Sequence, residues 1–179
     1  LGFPYGVIFD EATGDLWIGD LGSDFPGDGL VHRVRTDGTL TGDTIDGRGL
    51  GITPVDGAFD PATGMLWQLS GVHGIGCVNE LDPLSRVATN RTICPPFGVQ
   101  EMALAYDPAT ATFYAGSLDD SFILRFDQSG TILDAIDGFP SVSGLAFNRR
   151  TGHLFVLHRP YEDPNGSDVV VVDPADGFR

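Results

Sequence analysis

The sequence predicts an all-β protein that repeats one structural unit four times. A nine-residue motif occurs as FDEATGDLW, FDPATGMLW, YDPATATFY and FNRRTGHLF, beginning at residues 9, 59, 106 and 147. A period of roughly 45 residues is typical of solenoids, propellers and other repeat arrays. The chain has 25 Gly and 12 Pro, and we find no amphipathic run longer than about two helical turns, so helix content should be very low.

Each copy of the motif predicts a β-hairpin. An apolar run enters the motif, a second apolar run leaves it, and between them stand Asp or Asn and, in three copies, Thr-Gly. Asp and Thr side chains accept hydrogen bonds from backbone amides two residues further on, and Gly supplies the positive φ of a tight turn. Strand, turn and strand therefore follow one another directly.

A second strand pair follows each hairpin except the last, which has a single strand. The predicted pairs are residues 31–35 with 39–42, 77–81 with 87–93, and 122–126 with 131–136, and the single strand is 169–172. Each repeat is then a four-stranded antiparallel meander, the blade of a β-propeller, with an incomplete last blade and fifteen strands in all. We expect one propeller domain over 1–179, with blades at about 1–50, 51–97, 98–138 and 139–179.

Two segments carry a family resemblance, Pro-Tyr-Gly-Val-Ile-Phe-Asp at 4–10 and Leu-Trp-Ile-Gly-Asp at 16–20. They resemble the NHL-type repeats and the gluconolactonase-like and YVTN (YncE-like) propellers of secreted bacterial proteins, and the resemblance covers all four units. Such propellers normally have six to eight blades, which implies that this chain is part of a larger ring. A closed four-blade ring, and two chains pairing into one eight-blade ring, remain alternatives.

The excess of acidic residues restricts the kinds of partner that this protein can bind. The formal net charge is −15, with 25 acidic residues and ten basic residues that are all Arg. Such acidity argues against binding nucleic acid or an anionic membrane, and the absence of Lys excludes Schiff-base, Ser-Lys and P-loop chemistry. No apolar run approaches 18 residues, so we expect no membrane span. The chain begins without Met in structured sequence, which suggests a processed protein or a piece of a longer one.

The two cysteines, Cys77 and Cys94, lie in one predicted hairpin. A turn over residues 82–86 places them opposite each other, in the register that also pairs Asp82 with Thr89. A cross-strand disulfide is the favoured interpretation and implies an extracytoplasmic compartment. Two buried free thiols, or a redox or metal role, are the alternatives.

The loops that follow the second strand of each repeat are the predicted ligand face, because binding residues commonly lie on loops carried by a rigid scaffold. Asp20, Ser70, Ser117 and His158 occupy equivalent positions there. The candidate ligand-face residues are Asp20, Asp24, Asp28, Ser70, His73, Ser117, Asp119, Asp120, His158, Arg159 and Tyr161. The opposite face consists of short Thr-Gly turns and offers little to bind with.

The sequence indicates a metal site or a catalytic site less specifically than it indicates the ligand face. Asp20, Asp24 and Asp28 could supply oxygen ligands to Ca²⁺, although the Glu, Asn and Asp set of gluconolactonase-like relatives finds no match in the equivalent positions. His73 and His158 share the predicted loop face and could form an acid–base pair.

One aromatic side chain recurs in every repeat, as Trp17, Trp67, Tyr114 and Phe155. We interpret this position as core packing between repeats.

These observations favour a non-catalytic binding or scaffold module of a secreted or cell-surface protein. Its acidic loops would face a protein or glycan partner, with no cofactor predicted. Further blades or domains of a longer chain, or a second copy, would complete the ring. The alternative is a metal-dependent enzyme of the lactonase or lyase kind.

Overall fold

The computed structural model describes residues 1–22, 29–70, 76–96, 101–159 and 166–176. In this part of the chain it contains fifteen strands and two three-residue 3-10 helices, Arg48–Leu50 and Pro174–Asp176. The strands are β1 (Pro4–Asp10), β2 (Asp15–Asp20), β3 (Leu30–Val34), β4 (Leu40–Asp46), β5 (Pro54–Asp60), β6 (Met65–Ser70), β7 (Cys77–Asp82), β8 (Val87–Ile93), β9 (Glu101–Asp107), β10 (Thr112–Ser117), β11 (Phe122–Asp127), β12 (Ile132–Asp137), β13 (Gly144–Asn148), β14 (His153–His158) and β15 (Asp168–Val172). The prediction of an all-β protein with very little helix is confirmed.

The chain divides into two compact units. The first comprises Leu1–Val72 and Cys77–Ile93, and the second comprises His73–Gly76 and Cys94–Arg179. Each unit contains two of the sequence repeats. That residues 1–179 form a single propeller domain stays a prediction.

The first unit consists of two antiparallel meanders, β1 to β4 and β5 to β8, in which each strand pairs with the next along the chain. A single parallel pairing of Asp46 with Val87 connects the outer strands β4 and β8, so that the eight strands form one sheet. The predicted second pair of the first repeat extends further than expected, because β4 continues to Asp46.

The second unit contains a four-stranded meander, β9 to β12, and a three-stranded one, β13 to β15. All of these pairings are antiparallel and connect strands that are consecutive in the chain. Within the described residues the last repeat therefore has three strands, in agreement with the predicted incomplete repeat.

The motif turns are held by their Asp and Thr side chains, as the sequence predicts. Asp10 accepts a hydrogen bond on Oδ1 from the Ala12 amide at 2.9 Å and one on Oδ2 from the Thr13 hydroxyl at 2.8 Å. The Gly14 amide donates to the Asp10 carbonyl at 2.8 Å, and Gly14 adopts φ +76°. The turn that begins at Asp60 repeats the pattern. Local side-chain chemistry thus closes each hairpin without help from distant residues.

The core of the first unit lies between its two repeats. Apolar side chains from the first repeat meet those of the second in one buried cluster. This cluster contains Ile8, Trp17, Val31, Ile45, Ile52, Leu66 and Leu81. Each buried side chain of this size contributes on the order of 1.5–3 kcal/mol by leaving water, which makes the contact between repeats the main source of stability in the unit.

The core of the second unit has the same construction. Its cluster contains Ala103, Ala105, Tyr114, Ile123, Ile136, Val142, Leu145, Leu154, Val156 and Val172. Among the recurrent aromatic residues, Trp17, Trp67 and Tyr114 are buried, which confirms the predicted core role for these three. Phe155 is only half-buried.

The disulfide between Cys77 and Cys94 is confirmed, and it continues the pairing of Val78 with Ile93. The predicted register was wrong nearer the turn, because Asp82 pairs with Val87 and not with Thr89. A register shift between Asn79 and Leu81 separates the two ends of the hairpin. Such an irregularity places extra residues of one strand opposite a single residue of the other.

Candidate functional site

Asp20, the first residue of the predicted ligand face, has a structural role, because it connects the segment before β1 with the end of β2. Its buried carboxylate accepts hydrogen bonds from the amides of Gly2 and Phe3, both at 2.7 Å, and of Gly22 at 2.9 Å. Burial raises the pKa of Asp20, but the three amides outweigh it and hold the pKa below its ordinary value of 3.8. The carboxylate therefore fastens the entry of β1 to the end of β2 and has little capacity left for a ligand.

The equivalent serines have related roles. Ser70 accepts a hydrogen bond on Oγ from the Thr53 amide at 2.9 Å, which ties the entry of β5 to the end of β6. Ser117 accepts one on Oγ from the Asp119 amide at 3.1 Å, and its carbonyl accepts one from the Val142 amide at 2.9 Å. This repeat position is thus occupied by side chains that organise the ends of the strands.

His158, the fourth residue at this position, is buried beside an aromatic ring. Its imidazole meets Phe139 edge to face, with 5.6 Å between the ring centroids. Its Nδ1 is buried and has no hydrogen-bond partner among the described residues. A buried polar atom without a partner is uncommon in folded proteins and requires a specific explanation.

Asp119, Asp120 and Arg159 are the polar candidates that remain accessible. Asp119 and Arg159 are exposed and Asp120 is half-buried, and none of the three forms an ion pair with another described residue. The loop that carries the two acids is anchored near both ends. The Ser141 hydroxyl donates to the Leu118 carbonyl at 3.0 Å, and the Gly138 amide donates to the Ser121 carbonyl at 2.9 Å.

Four of the predicted ligand-face residues, Asp24, Asp28, His73 and Tyr161, lie outside the described residues. Neither the predicted Asp cluster nor the histidine pair is therefore described as a whole. In the part of the chain that the structure covers, no group of three or more His, Cys, Asp or Glu side chains is placed to hold a metal ion.

A groove of about 490 Å³ lies at the hairpin turns of the first unit. The turns that begin at Asp10 and Asp60 form its sides, and Trp17 and Arg33 contribute from the strands of the first repeat. Further lining comes from the turn between β7 and β8, including Leu84 and Arg86. Little binding surface was predicted at these turns because each turn is short when taken alone.

Ion pairs cross this groove. Arg33 donates from Nε to Asp15 Oδ2 at 2.8 Å, and its Nη1 lies 3.5 Å from Asp43 Oδ2. Arg86 donates from Nη1 to Asp43 Oδ1 at 2.7 Å. Asp43 therefore bridges two arginines that come from different repeats of the same unit.

The second unit has a smaller groove, of about 240 Å³, at equivalent positions. Tyr114 and Arg125 take the places of Trp17 and Arg33, since each pair is directly opposed in the strand register. The grooves are thus a recurrent feature of adjacent repeats. The sequence does contain a sign of them, namely Arg opposite the recurrent aromatic residue in two repeats.

The meanders and their repeated turns define an all-β, β-propeller-like protein. Hydrazine synthase from Kuenenia stuttgartiensis, a protein that contains a β-propeller, is similar to this chain with a TM-score of 0.69 and 15% sequence identity. The match covers 99% of this chain and 47% of the hydrazine synthase chain, so this chain spans about half the length of the protein it matches. At this identity the likeness concerns the fold alone.

No protein-family model and no curated protein matches the chain. The resemblance of its repeats to the NHL and YVTN types stays a prediction. No helix in the described part of the chain has the length and apolar character to cross a membrane.

Proposed function

We propose that this chain is a non-catalytic binding or scaffold module of a secreted or cell-surface protein. Its repeats act as four propeller blades, the last of them incomplete, within a larger ring of six to eight blades. The acidic loops that follow the second strands form the ligand face and bind a protein or glycan.

The observation that carries this proposal is the contrast between Asp20 and the pair Asp119 and Asp120. The carboxylate of Asp20 accepts hydrogen bonds from three backbone amides. The carboxylates of Asp119 and Asp120 form no ion pair among the described residues. Since Ser141 and Ser121 hold the loop of the two acids, little ordering entropy is lost when a partner binds there. Accessible carboxylates on a fixed loop suit recognition of a basic protein surface or of glycan hydroxyl groups.

The proposed extracellular location is supported by the disulfide between Cys77 and Cys94. Disulfides persist in oxidising compartments and are rare in the cytosol. The net charge of −15 adds long-range attraction for a basic partner, and this attraction decreases with ionic strength.

The proposal is tested by measuring binding of the chain to an immobilised glycan panel and to a basic peptide such as oligo-arginine. We expect saturable binding that the double substitution Asp119→Asn/Asp120→Asn weakens at least fivefold. The control, Asp134→Asn/Asp176→Asn, removes the same charge from exposed positions on β12 and in the 3-10 helix Pro174–Asp176 and should leave affinity within twofold. Equal effects of the two variants would mean that net charge alone attracts the peptide, and would contradict a ligand face at this loop.

A second candidate function is a lactonase- or lyase-like enzyme that uses Ca²⁺. The unpartnered Nδ1 of His158 favours it, because a buried imidazole at the end of a strand is placed as general acids and bases often are. Asp24, Asp28 and His73, which lie outside the described residues, are the other groups proposed for this activity. Asp20 is left out because three backbone amides already occupy its carboxylate. A rise in melting temperature with Ca²⁺ that EDTA reverses, together with lactone or lyase turnover lost in His158→Ala, would support it. No shift with Ca²⁺ would remove the metal from the proposal.

A further inference from the structure

β1, the first strand of the first repeat, has one of its two faces uncovered. In β1 the buried residues Ile8 and Asp10 alternate with exposed Tyr5, Val7 and Phe9. Three large apolar side chains on one side of one strand form a contiguous patch of the kind that marks an interaction surface. We call this patch the entry face.

The position of Val7 is buried in the last repeat. Val7 is 55% exposed, whereas its equivalent Leu145 is 8% exposed. In the second unit, Leu145 is buried in the cluster that combines the third and fourth repeats, where Ala105 packs on the same core. The entry face is therefore the kind of surface that a preceding repeat covers elsewhere in this chain.

The last repeat leaves its other face uncovered. In the first and third repeats, this face packs on the following repeat of the same unit. On β15, Val169 is 63% exposed, although its equivalents Val31, Val78 and Ile123 are at most 1% exposed. Val171 is exposed too, at a position that Arg33, Glu80 and Arg125 occupy in the other repeats. An apolar residue thus replaces a charged one in the repeat that lacks a cover. We call the surface of Val169, Val171 and exposed Ala146 the exit face.

We infer that the exit face of one copy of this chain packs on the entry face of a second copy. This contact has the same form as the packing between the two repeats of each unit. There the first strand of one repeat, together with the strands beside it, packs on the first strand of the next repeat. Two such contacts, related by a twofold axis, join two chains head to tail and cover all four uncovered faces. This inference gives the proposed larger ring a specific partner and does not depend on the proposed ligand face.

Two observations favour a second copy as the partner. One chain carries both faces, and both are exposed in the single chain. Both are apolar in a protein with net charge −15, so their association buries no carboxylate of the two patches. Head-to-tail contacts close into a ring when the rotation permits and otherwise form open filaments.

The test is light scattering coupled to size exclusion over a concentration series of the chain. We expect a species of twice the 19.0 kDa chain mass. Val7→Asp and Val169→Asp should each weaken self-association at least tenfold, because each substitution places a charge in both contacts of the dimer. Leu84→Asp is the matched control, since Leu84 is exposed on the outer turn of the second repeat, and it should leave the dimer intact. Circular dichroism verifies that each variant is folded.

Mixing the two variants makes the test specific for the head-to-tail arrangement. A mixture of Val7→Asp and Val169→Asp chains can form one unaltered contact, so it should associate more strongly than either variant alone. If only one of the two substitutions matters, the contact joins like faces and the inference is wrong. A monomer at all concentrations, or a mass that keeps increasing with concentration, would also overturn it. None of these measurements involves a ligand, so failure here is separate from failure of the proposed binding function.

Discussion

Arg86 donates a hydrogen bond to Asp43 at 2.7 Å and thereby ties the β7–β8 turn of the second repeat to β4 of the first. Arg86 adopts φ +60°, a left-handed conformation that costs a non-glycine residue about 1–2 kcal/mol. In the motif turns the equivalent residue is Gly14 or Gly64. An ion pair that connects two repeats thus accompanies unfavourable backbone geometry.

Two substitutions of Arg86 separate these effects. Arg86→Ala keeps the backbone cost and loses an exposed ion pair, so the free energy of unfolding should fall by about 0.2–1 kcal/mol. Arg86→Gly also relieves the backbone and should be about 1 kcal/mol more stable than Arg86→Ala. Urea denaturation measures both values. Equal stabilities of the two variants would show that the left-handed conformation carries no cost at this position.

The motif turns offer a reciprocal pair of substitutions. Ala111 adopts φ +55° where the other motif turns have Gly, so Ala111→Gly should raise the free energy of unfolding by about 0.5–1 kcal/mol. Gly64→Ala should lower it by about 1 kcal/mol. A Cβ added at Gly64 would meet no atom within 4 Å, so the cost there comes from the backbone alone. Thermal denaturation measures both, and changes of the same sign would contradict the account.

Asp20→Asn tests the structural role of this carboxylate. The amide group of Asn can accept hydrogen bonds on one side only, so either the Gly2 amide or the Phe3 and Gly22 amides would face a donor. The free energy of unfolding at pH 7 should fall by about 1–3 kcal/mol. A variant as stable as the wild type would mean that the carboxylate does not anchor β1 and remains available to a ligand.

The depressed pKa of Asp20 also predicts a pH dependence. A carboxyl group whose pKa is lower in the folded state stabilises the protein above its unfolded-state pKa of about 3.9. That stability is lost as the pH falls through the folded-state pKa. The difference in stability between the wild type and Asp20→Asn should therefore diminish below about pH 4. A difference that stays constant down to pH 2 would contradict this assignment.

Removal of the disulfide by Cys77→Ser/Cys94→Ser should lower the free energy of unfolding by about 2–4 kcal/mol, mainly because the unfolded chain gains freedom. A reducing agent should lower the stability of the wild type to that of the variant and should not affect the variant. Denaturation in the presence and absence of reductant checks this. Identical wild-type curves in both conditions would contradict a stabilising role for the bond.

The parts of the fold that depend on neighbouring residues could be predicted from sequence. The hairpin turns follow from Asp10 and Thr13 and their copies, whose side chains accept hydrogen bonds from amides two or three residues away. The pairing of Cys77 with Cys94 was also predicted, although the register shift between Asn79 and Leu81, and not the turn alone, brings the two residues opposite each other. The shift near Glu80 could not be predicted, because bulges depend on contacts across the whole hairpin.

The candidate site was less predictable because its chemistry depends on contacts between distant segments. The sequence places Asp20 at a strand end beside a loop, which suits a ligand as well as a structural anchor. Only the structure brings the Gly2 and Phe3 amides to its carboxylate. The groove beside Trp17 was missed for the same reason, since its two sides come from turns about fifty residues apart in the chain.

The head-to-tail contact can be tested most directly by cross-linking two introduced cysteines. Within the first unit a Cβ added at Gly57, the equivalent of Val7, would collide with Ile8. Ala146 is the equivalent of Ile8 in the last repeat, so Val7 of one copy should lie beside Ala146 of the other. All native cysteines are paired, so Val7→Cys and Ala146→Cys chains each carry one free thiol. Treatment of their mixture with a short bismaleimide should link one chain of each kind. Links between two identical variants, or none at all, would contradict the account.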